Sequence, residues 1–166
     1  MHRTTTMTLL EQREIEAKIV GPLFAAFAEE IGEARAMEVL RGVIEKLAKQ
    51  GGEMAAQSVG GTSIPHLEHA MENWNQGDTL SLTILRQDDD HYDFNVTRCE
   101  FAEMYKRMGM EKLGEVLSCG RDGHMIDGFN ADIEFSRTQT IMEGERYCDF
   151  RYRVKRAKET TAATDE

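Results

Sequence analysis

The spacing of apolar residues changes near the middle of the chain, and this change constrains the fold more than any other feature. Before Gly77 the apolar residues recur every three or four positions, which predicts amphipathic helices. The clearest series are Leu23, Phe27 and Ile31, then a predicted buried stripe of Met37, Leu40, Ile44 and Leu47. From Thr79 onward, apolar and polar residues alternate, as in a β-strand with one buried face. The sequence therefore predicts an α+β fold with N-terminal helices packed on an antiparallel sheet.

Glycine and proline divide the predicted helices. Gly21-Pro22 should interrupt the first helix, with a kink or a restart at the proline. Gly51-Gly52 should end or weaken the second helix. A further short helix should begin at Pro65.

The sheet is predicted to have about four strands, built from two hairpins. Residues 79–86 and 92–98 form the first hairpin, and residues 133–142 and 147–154 form the second. Residues 118–130, between the hairpins, are rich in Gly, Asp and Cys and predict a loop.

The length of 166 residues predicts a single domain, which we assign to residues 1–155. The polar residues 156–166 are predicted to form a disordered tail. No apolar segment is long enough to span a bilayer, and the N-terminus lacks the apolar core of a signal peptide. We therefore expect a cytoplasmic protein.

The charge of the chain argues against two classes of partner. The formal net charge is −10, from 30 Asp and Glu against 20 Lys and Arg, so the overall field of the chain repels phosphate groups. Binding to nucleic acid or to an anionic membrane relies on attraction between such groups and Lys or Arg, so neither is an expected partner. The three cysteines are an odd number in a compartment where structural disulfides are unusual. They could therefore be reactive thiols, thiolate ligands or plain buried residues.

Cys99 is the most informative of the three cysteines. It follows a predicted strand, and Thr97-Arg98-Cys99-Glu100 fits a capping box with Thr97 as the N-cap. The Cys99 sulfur would then lie in the first helical turn, where backbone N–H groups lower the pKa of a thiol. Cys99 is therefore a candidate nucleophile, and the alternative is a small buried residue packed against the helix.

A second candidate set lies in the predicted loop. Cys119, Asp122 and His124 fall within one short segment and could supply a nucleophile, a general base and a proton carrier. The segment lacks the paired CxxC spacing that is typical of zinc sites. The alternative is a turn whose polar groups bond to its own backbone.

The last predicted hairpin has a charged residue on an apolar face. Phe135 and Ile141 indicate that this face is buried, yet Arg137 lies between them. A buried guanidinium needs an anionic partner. The partner could be Asp149 on the neighbouring strand, or it could be the carboxylate of a ligand. The spacing of Cys148 places it on the apolar face of that strand, which favours a core residue over a ligand.

Three stretches, taken together, resemble the L-2-amino-thiazoline-4-carboxylic acid hydrolase family. They are residues 95–99, residues 117–119 with Asp122, and residues 135–140 continuing through Gly144 to residues 148–150. The resemblance is close over the C-terminal half, whereas the N-terminal helices agree in general character. The family name implies hydrolysis of a cyclic isothiourea that bears a carboxylate, with ring opening to an N-carbamoyl cysteine.

The resemblance implies a hydrolase of non-peptide C–N or C–S bonds in a small cyclic amidine, isothiourea or lactam carrying a carboxylate. Cys99 or Cys119 would attack the amidine-like carbon, and Asp122 would act as general base or hold the amidine cation. The substrate-binding residues would be Arg137 on the carboxylate, Thr138 or Thr140 with a hydroxyl, and Cys148 and Asp149. No organic cofactor is predicted, since the sequence has no GxGxxG and no Walker loop.

Two other functions fit the same residues. The order of elements also resembles small-molecule-binding domains of the vinyl-4-reductase type, in which Cys99, Cys119 and Cys148 would converge on zinc or on an effector. The third interpretation is a homo-oligomeric interaction protein that uses its N-terminal helices.

Overall fold

The structure is a computed structural model that describes residues 7–155. The predicted tail at residues 156–166 lies outside the described residues. The α-helices of the described chain are α1 (Leu9–Ile31), α2 (Glu33–Val59), α3 (Ile64–Met71), α4 (Glu100–Arg107), α5 (Glu111–Gly114) and α6 (Arg121–Phe129). The strands are β1 (Leu80–Gln87), β2 (His91–Cys99), β3 (Ile133–Ser136) and β4 (Cys148–Val154). A 3-10 turn (Glu72–Asn75) follows α3, and a π-helical turn (Glu115–Cys119) precedes α6.

Helix α1 runs continuously through Gly21-Pro22, so the predicted restart there is wrong. The helix begins at a capping box formed by Thr8 and Glu11 and ends at Gly32, whose φ is +84°. Gly21 is buried, and a Cβ at this position would lie 2.0 Å from the Met110 side chain. The tertiary contact explains the glycine, and the one backbone hydrogen bond lost at Pro22 does not end the helix.

Helix α2 likewise continues through Gly51-Gly52, contrary to the prediction. A Cβ at Gly52 would lie 2.0 Å from the backbone oxygen of Met125, and one at Gly128 would lie 1.9 Å from that of Lys49. These glycines let the backbones of α2 and α6 approach each other closely. They therefore mark a helix–helix contact rather than a helix end.

The predicted α+β architecture is confirmed, with helices preceding an antiparallel sheet of order β1-β2-β4-β3. The two predicted hairpins, β1–β2 and β3–β4, are joined by antiparallel pairing between β2 and β4. Strand β3 ends at Ser136 instead of reaching Met142. The Asp149 carboxylate accepts hydrogen bonds from the backbone N–H groups of Thr138 and Gln139, which holds this segment away from the β-ladder.

One face of the sheet carries the core. Tyr92, Phe94 and Val96 of β2 and Phe150 and Tyr152 of β4 are buried there against α3 and α6. The predicted helical stripe is buried in part, since its Met37 and Ile44 are buried, whereas Leu47 is half exposed. Leu23, Phe27 and Ile31 of α1 are also about half exposed. Within the described residues, none of the helices combines the length and hydropathy needed to cross a bilayer.

Candidate active site

The inner face of the sheet forms one wall of a cavity of about 680 Å³. Leu80, Leu82, Phe94 and Phe150 contribute apolar side chains to this wall, and the opposite walls come from α1, α2, α3 and α6. A volume of this size is typical of sites for small organic molecules.

Five of the predicted site residues line this cavity, although they come from separate parts of the chain. They are Cys99, Cys119, Asp122, Arg137 and Cys148. Val96 pairs with Cys148 between β2 and β4, and β2 then continues to Cys99, so the sheet register places two of the thiols at one end of the sheet.

Cys99 is itself the N-cap of α4, which corrects the prediction that Thr97 would cap this helix. Its Sγ accepts a hydrogen bond from the backbone N–H of Ala102 at 3.5 Å, whereas the Thr97 hydroxyl donates to the Ser81 carbonyl. Burial raises the pKa of Cys99 to about 11 and outweighs the backbone N–H groups of Ala102 and Phe101. The predicted lowering of the Cys99 pKa is therefore wrong.

Residues 118–130 form mostly helix, so the predicted loop is also wrong. Cys119 ends the π-helical turn, and Asp122 lies in the first turn of α6. His124 does not join them, because it is partly exposed and its Nδ1 lies 3.6 Å from Asp127. Burial raises the pKa of Cys119 well above its usual value, and the nearby Asp122 carboxylate adds to the shift.

Asp122 and Arg137 form a nearly buried ion pair in the cavity wall. Arg137 donates through Nη1 to Asp122 and through Nη2 to the backbone oxygen of Cys119, and its guanidinium lies over the rings of Phe135 and Phe150. The internal partner of Arg137 is therefore Asp122 rather than Asp149. Burial raises the pKa of Asp122 to about 6, and the Arg137 charge opposes this shift.

The remaining predicted residues support the loop that carries Arg137. The Thr138 hydroxyl donates to Asp149 at 2.7 Å, and the Thr140 hydroxyl donates to Glu143 at 2.7 Å. Cys148 Sγ accepts from the backbone N–H of Ile141 at 3.2 Å, and burial raises its pKa. Thr138, Thr140 and Asp149 lie outside the cavity wall, so their substrate-binding roles stay predictions.

Sequence reasoning missed a second charged cluster on the cavity wall. Arg13 of α1 and Arg121 of α6 both line the cavity and both approach Glu16. Arg13 and Glu16 are three residues apart on a charged helix, so in the sequence they resemble an ordinary exposed pair. The signal that could have found them is tertiary, because it depends on α1 lying against the start of α6.

The structure also bears on the zinc alternative. Within residues 7–155, which include all three cysteines, no group of three or more His, Cys, Asp or Glu side chains is arranged to hold a metal ion. The predicted convergence of the three thiols on a metal is therefore not supported.

Two solved structures share this fold at low sequence identity. The phenol-responsive sensory domain of the transcription activator PoxR is 14% identical, with a TM-score of 0.51, over 82% of this chain and 73% of that chain. A trafficking protein particle complex subunit 3 from Naegleria fowleri, covalently bound to palmitic acid, is 10% identical, with a TM-score of 0.52. This match covers 87% of this chain and 96% of that chain. At this identity the likeness concerns the fold alone.

Sequence comparison assigns the chain to a family. No curated protein matches it. The model of the L-2-amino-thiazoline-4-carboxylic acid hydrolase family matches residues 12–152, which include every cavity-lining residue discussed above. The chain therefore belongs to the L-2-amino-thiazoline-4-carboxylic acid hydrolase family.

Proposed function

We propose that the protein hydrolyses a C–N or C–S bond in a small cyclic amidine or isothiourea that carries a carboxylate. The observation that carries this proposal is the Asp122–Arg137 ion pair, which lines a cavity of suitable size beside three thiols. Family membership supports the reaction class, and the buried pair supplies the group that such a reaction needs to move a proton.

Asp122 is the proposed general base. Its pKa of about 6 lets the carboxylate be ionised at neutral pH and still accept a proton at modest cost. The Arg137 guanidinium keeps Asp122 ionised and fixes its orientation through a direct hydrogen bond. A substrate amidinium would approach the same carboxylate, as expected for a charge-complementary site.

The proposed nucleophile is the thiol of Cys119 or Cys99. Burial keeps both thiols protonated at neutral pH, so attack requires proton transfer to Asp122. With an isothiourea substrate, the cysteine sulfur adds to the amidine carbon and the ring C–S bond breaks. The ring sulfur leaves as a thiol, with the proton from Asp122. Water then adds to the enzyme-bound carbon and releases the cysteine thiol, which completes the addition of one water to the substrate.

The substrate carboxylate needs a cationic partner in the cavity. Its assignment to Arg137 stays a prediction, because Arg137 is already bonded to Asp122 and to the Cys119 carbonyl. Arg137 could bind the substrate carboxylate only if Asp122 released Arg137 and paired with the substrate amidinium instead. Each buried charge would then keep a partner.

The test is a ring-opening assay with purified protein. L-2-amino-thiazoline-4-carboxylate is the first substrate, and related cyclic amidines, isothioureas and lactams follow. A disulfide reagent detects the thiol released by C–S cleavage, and mass spectrometry identifies the N-carbamoyl product. Saturable binding of these compounds without product from any of them would contradict the proposal.

Variants of the cysteines identify the nucleophile. Cys119→Ala and Cys99→Ala are compared with Cys148→Ala, whose thiol serves as an acceptor for the Ile141 N–H. The nucleophile is assigned if only one of the first two variants loses turnover and a covalent adduct is trapped on that same cysteine in the parent protein. Full turnover in all three variants would show that water attacks directly.

A binding domain without turnover is the second candidate. It is favoured by the fold shared with the phenol-responsive domain and by the apolar side chains on the sheet wall of the cavity. Calorimetry with phenols and with the cyclic carboxylates separates the two functions. Binding of phenols together with the absence of any hydrolysis would favour this candidate.

A further inference from the structure

The second charged cluster of the cavity holds more positive than negative charge. Arg13 Nη1 binds both carboxylate oxygens of Glu16, at 2.9 and 2.7 Å. Arg121 reaches the same carboxylate with Nη2 at only 3.5 Å, while its Nε donates to the Leu117 carbonyl at 2.7 Å. Two guanidinium groups therefore share one carboxylate, and Arg13 has the larger share of it.

Arg121 is the under-compensated member of this cluster. Its side chain is 16% exposed, and in residues 7–155 no carboxylate other than Glu16 lies within ion-pair distance of it. Burial lowers the pKa of Arg121, and the charge of Arg13 adds to the shift. A guanidinium in such a place gains greatly from a further anion, because a buried charge without a full partner is costly.

We propose that Arg121 and Arg13, which both line the cavity, form an anion subsite that binds the carboxylate of the substrate. The inference rests on the proposed function for the identity of the anion. Arg121 and Asp122 are adjacent in the first turn of α6, so this subsite orients the ring next to the proposed base. Arg137 then keeps Asp122 as its partner, and no exchange of buried charges is needed.

The test compares two ligands that cannot undergo the reaction. Cyclopentanecarboxylate carries the anion, and cyclopentanecarboxamide is its neutral counterpart of similar shape. Calorimetry or ligand-observed NMR should show the carboxylate binding about 10-fold more tightly to the unmodified protein. Arg121→Gln should reduce this preference to within about 2-fold, and Arg121→Lys should keep part of it, because an ammonium retains the charge without the fork.

Two further variants make the result specific. Arg35→Gln removes an exposed arginine that pairs with Glu38 on α2, and it should leave the preference unchanged. Loss of the preference in Arg137→Gln together with its retention in Arg121→Gln would overturn the proposal. If Arg121→Gln does not fold, an NMR titration of the unmodified protein replaces it. The side-chain ¹⁵N signals of Arg121 should then shift on addition of the carboxylate and not on addition of the amide, and the absence of a shift with the carboxylate would overturn the proposal.

Failure of this proposal differs from failure of the proposed function. A retained carboxylate preference without hydrolysis of any ring would refute the hydrolase and leave the anion subsite standing. Hydrolysis of L-2-amino-thiazoline-4-carboxylate with a KM unaffected by Arg121→Gln would refute only the subsite.

Discussion

The cavity has two charged clusters that differ in their balance of charge. Asp122 and Arg137 are one anion and one cation, bonded directly to each other. Arg13 and Arg121 are two cations that share Glu16. A balanced pair is satisfied without ligand, and its carboxylate can accept a proton from a neighbouring group, whereas an unbalanced cluster is completed by an anion from outside. The comparison therefore assigns chemistry to the first cluster and substrate binding to the second.

The largest expected effect concerns the balanced pair. Asp122→Asn removes the proposed base and keeps the shape of the side chain, so kcat/KM should fall at least about 100-fold. The carboxylate preference measured with the cyclopentane ligands should persist. Asp127→Asn, on the exposed side of the same helix, is the matched control. Near-normal turnover in Asp122→Asn would remove the chemical role of the balanced pair.

The next effect is the pH dependence of stability. Because burial raises the pKa of Asp122 from 3.8 to about 6, the folded protein retains a proton there that the unfolded chain releases. The free energy of unfolding should therefore decrease as pH rises from about 4 to about 6, by about 3 kcal/mol from this group, and its contribution should be constant above that window.

Urea unfolding across this pH range measures the effect. The difference between the unmodified protein and Asp122→Asn isolates the contribution of Asp122, and Asp127→Asn should retain the parent slope. Equal slopes in the unmodified protein and Asp122→Asn would show that the Asp122 pKa is ordinary, and the argument for an adjustable proton would fail.

The parts of this picture that the sequence predicted depend on local patterns and on family resemblance. Alternation in β2 and β4 predicted the strands because one face of each is buried. Cys99, Cys119, Asp122, Arg137 and Cys148 were chosen partly by resemblance, and the fold brings these five to one cavity. The pairing of Asp122 with Arg137 was not predicted, since it depends on where the chain leaves β3.

The parts that were missed depend on tertiary contacts. Gly51-Gly52 predicted a helix end and Gly128 lay in a predicted loop, but Gly52 and Gly128 serve the close approach of α2 and α6. Arg137 was expected on a strand because the apolar spacing continues to Ile141, and the Asp149 hydrogen bonds to the backbone prevail over that spacing. Arg121 gave no signal because its partners come from a helix more than a hundred residues earlier.

Glu16→Gln tests the unbalanced cluster with the opposite sign. Removing the shared carboxylate leaves Arg13 and Arg121 without their common partner, so the affinity for cyclopentanecarboxylate should rise about 10-fold while the melting temperature falls. Calorimetry and thermal melting measure the two effects. Glu14→Gln, which removes an exposed partner of Lys18 on the same helix, should change neither. Weaker carboxylate binding in Glu16→Gln would place the anion elsewhere.

The smallest expected effect concerns two tyrosines outside both clusters. The hydroxyls of Tyr105 and Tyr152 are buried without a partner in the described chain, and neither residue lines the cavity. Removing an unsatisfied buried hydroxyl should leave stability unchanged or raise it by about 1 kcal/mol, so Tyr105→Phe and Tyr152→Phe should both melt at or above the parent temperature. Neither variant should change the affinity for cyclopentanecarboxylate, because neither hydroxyl reaches the cavity. Weaker carboxylate binding in Tyr105→Phe alone would show that the anion subsite extends beyond the two arginines.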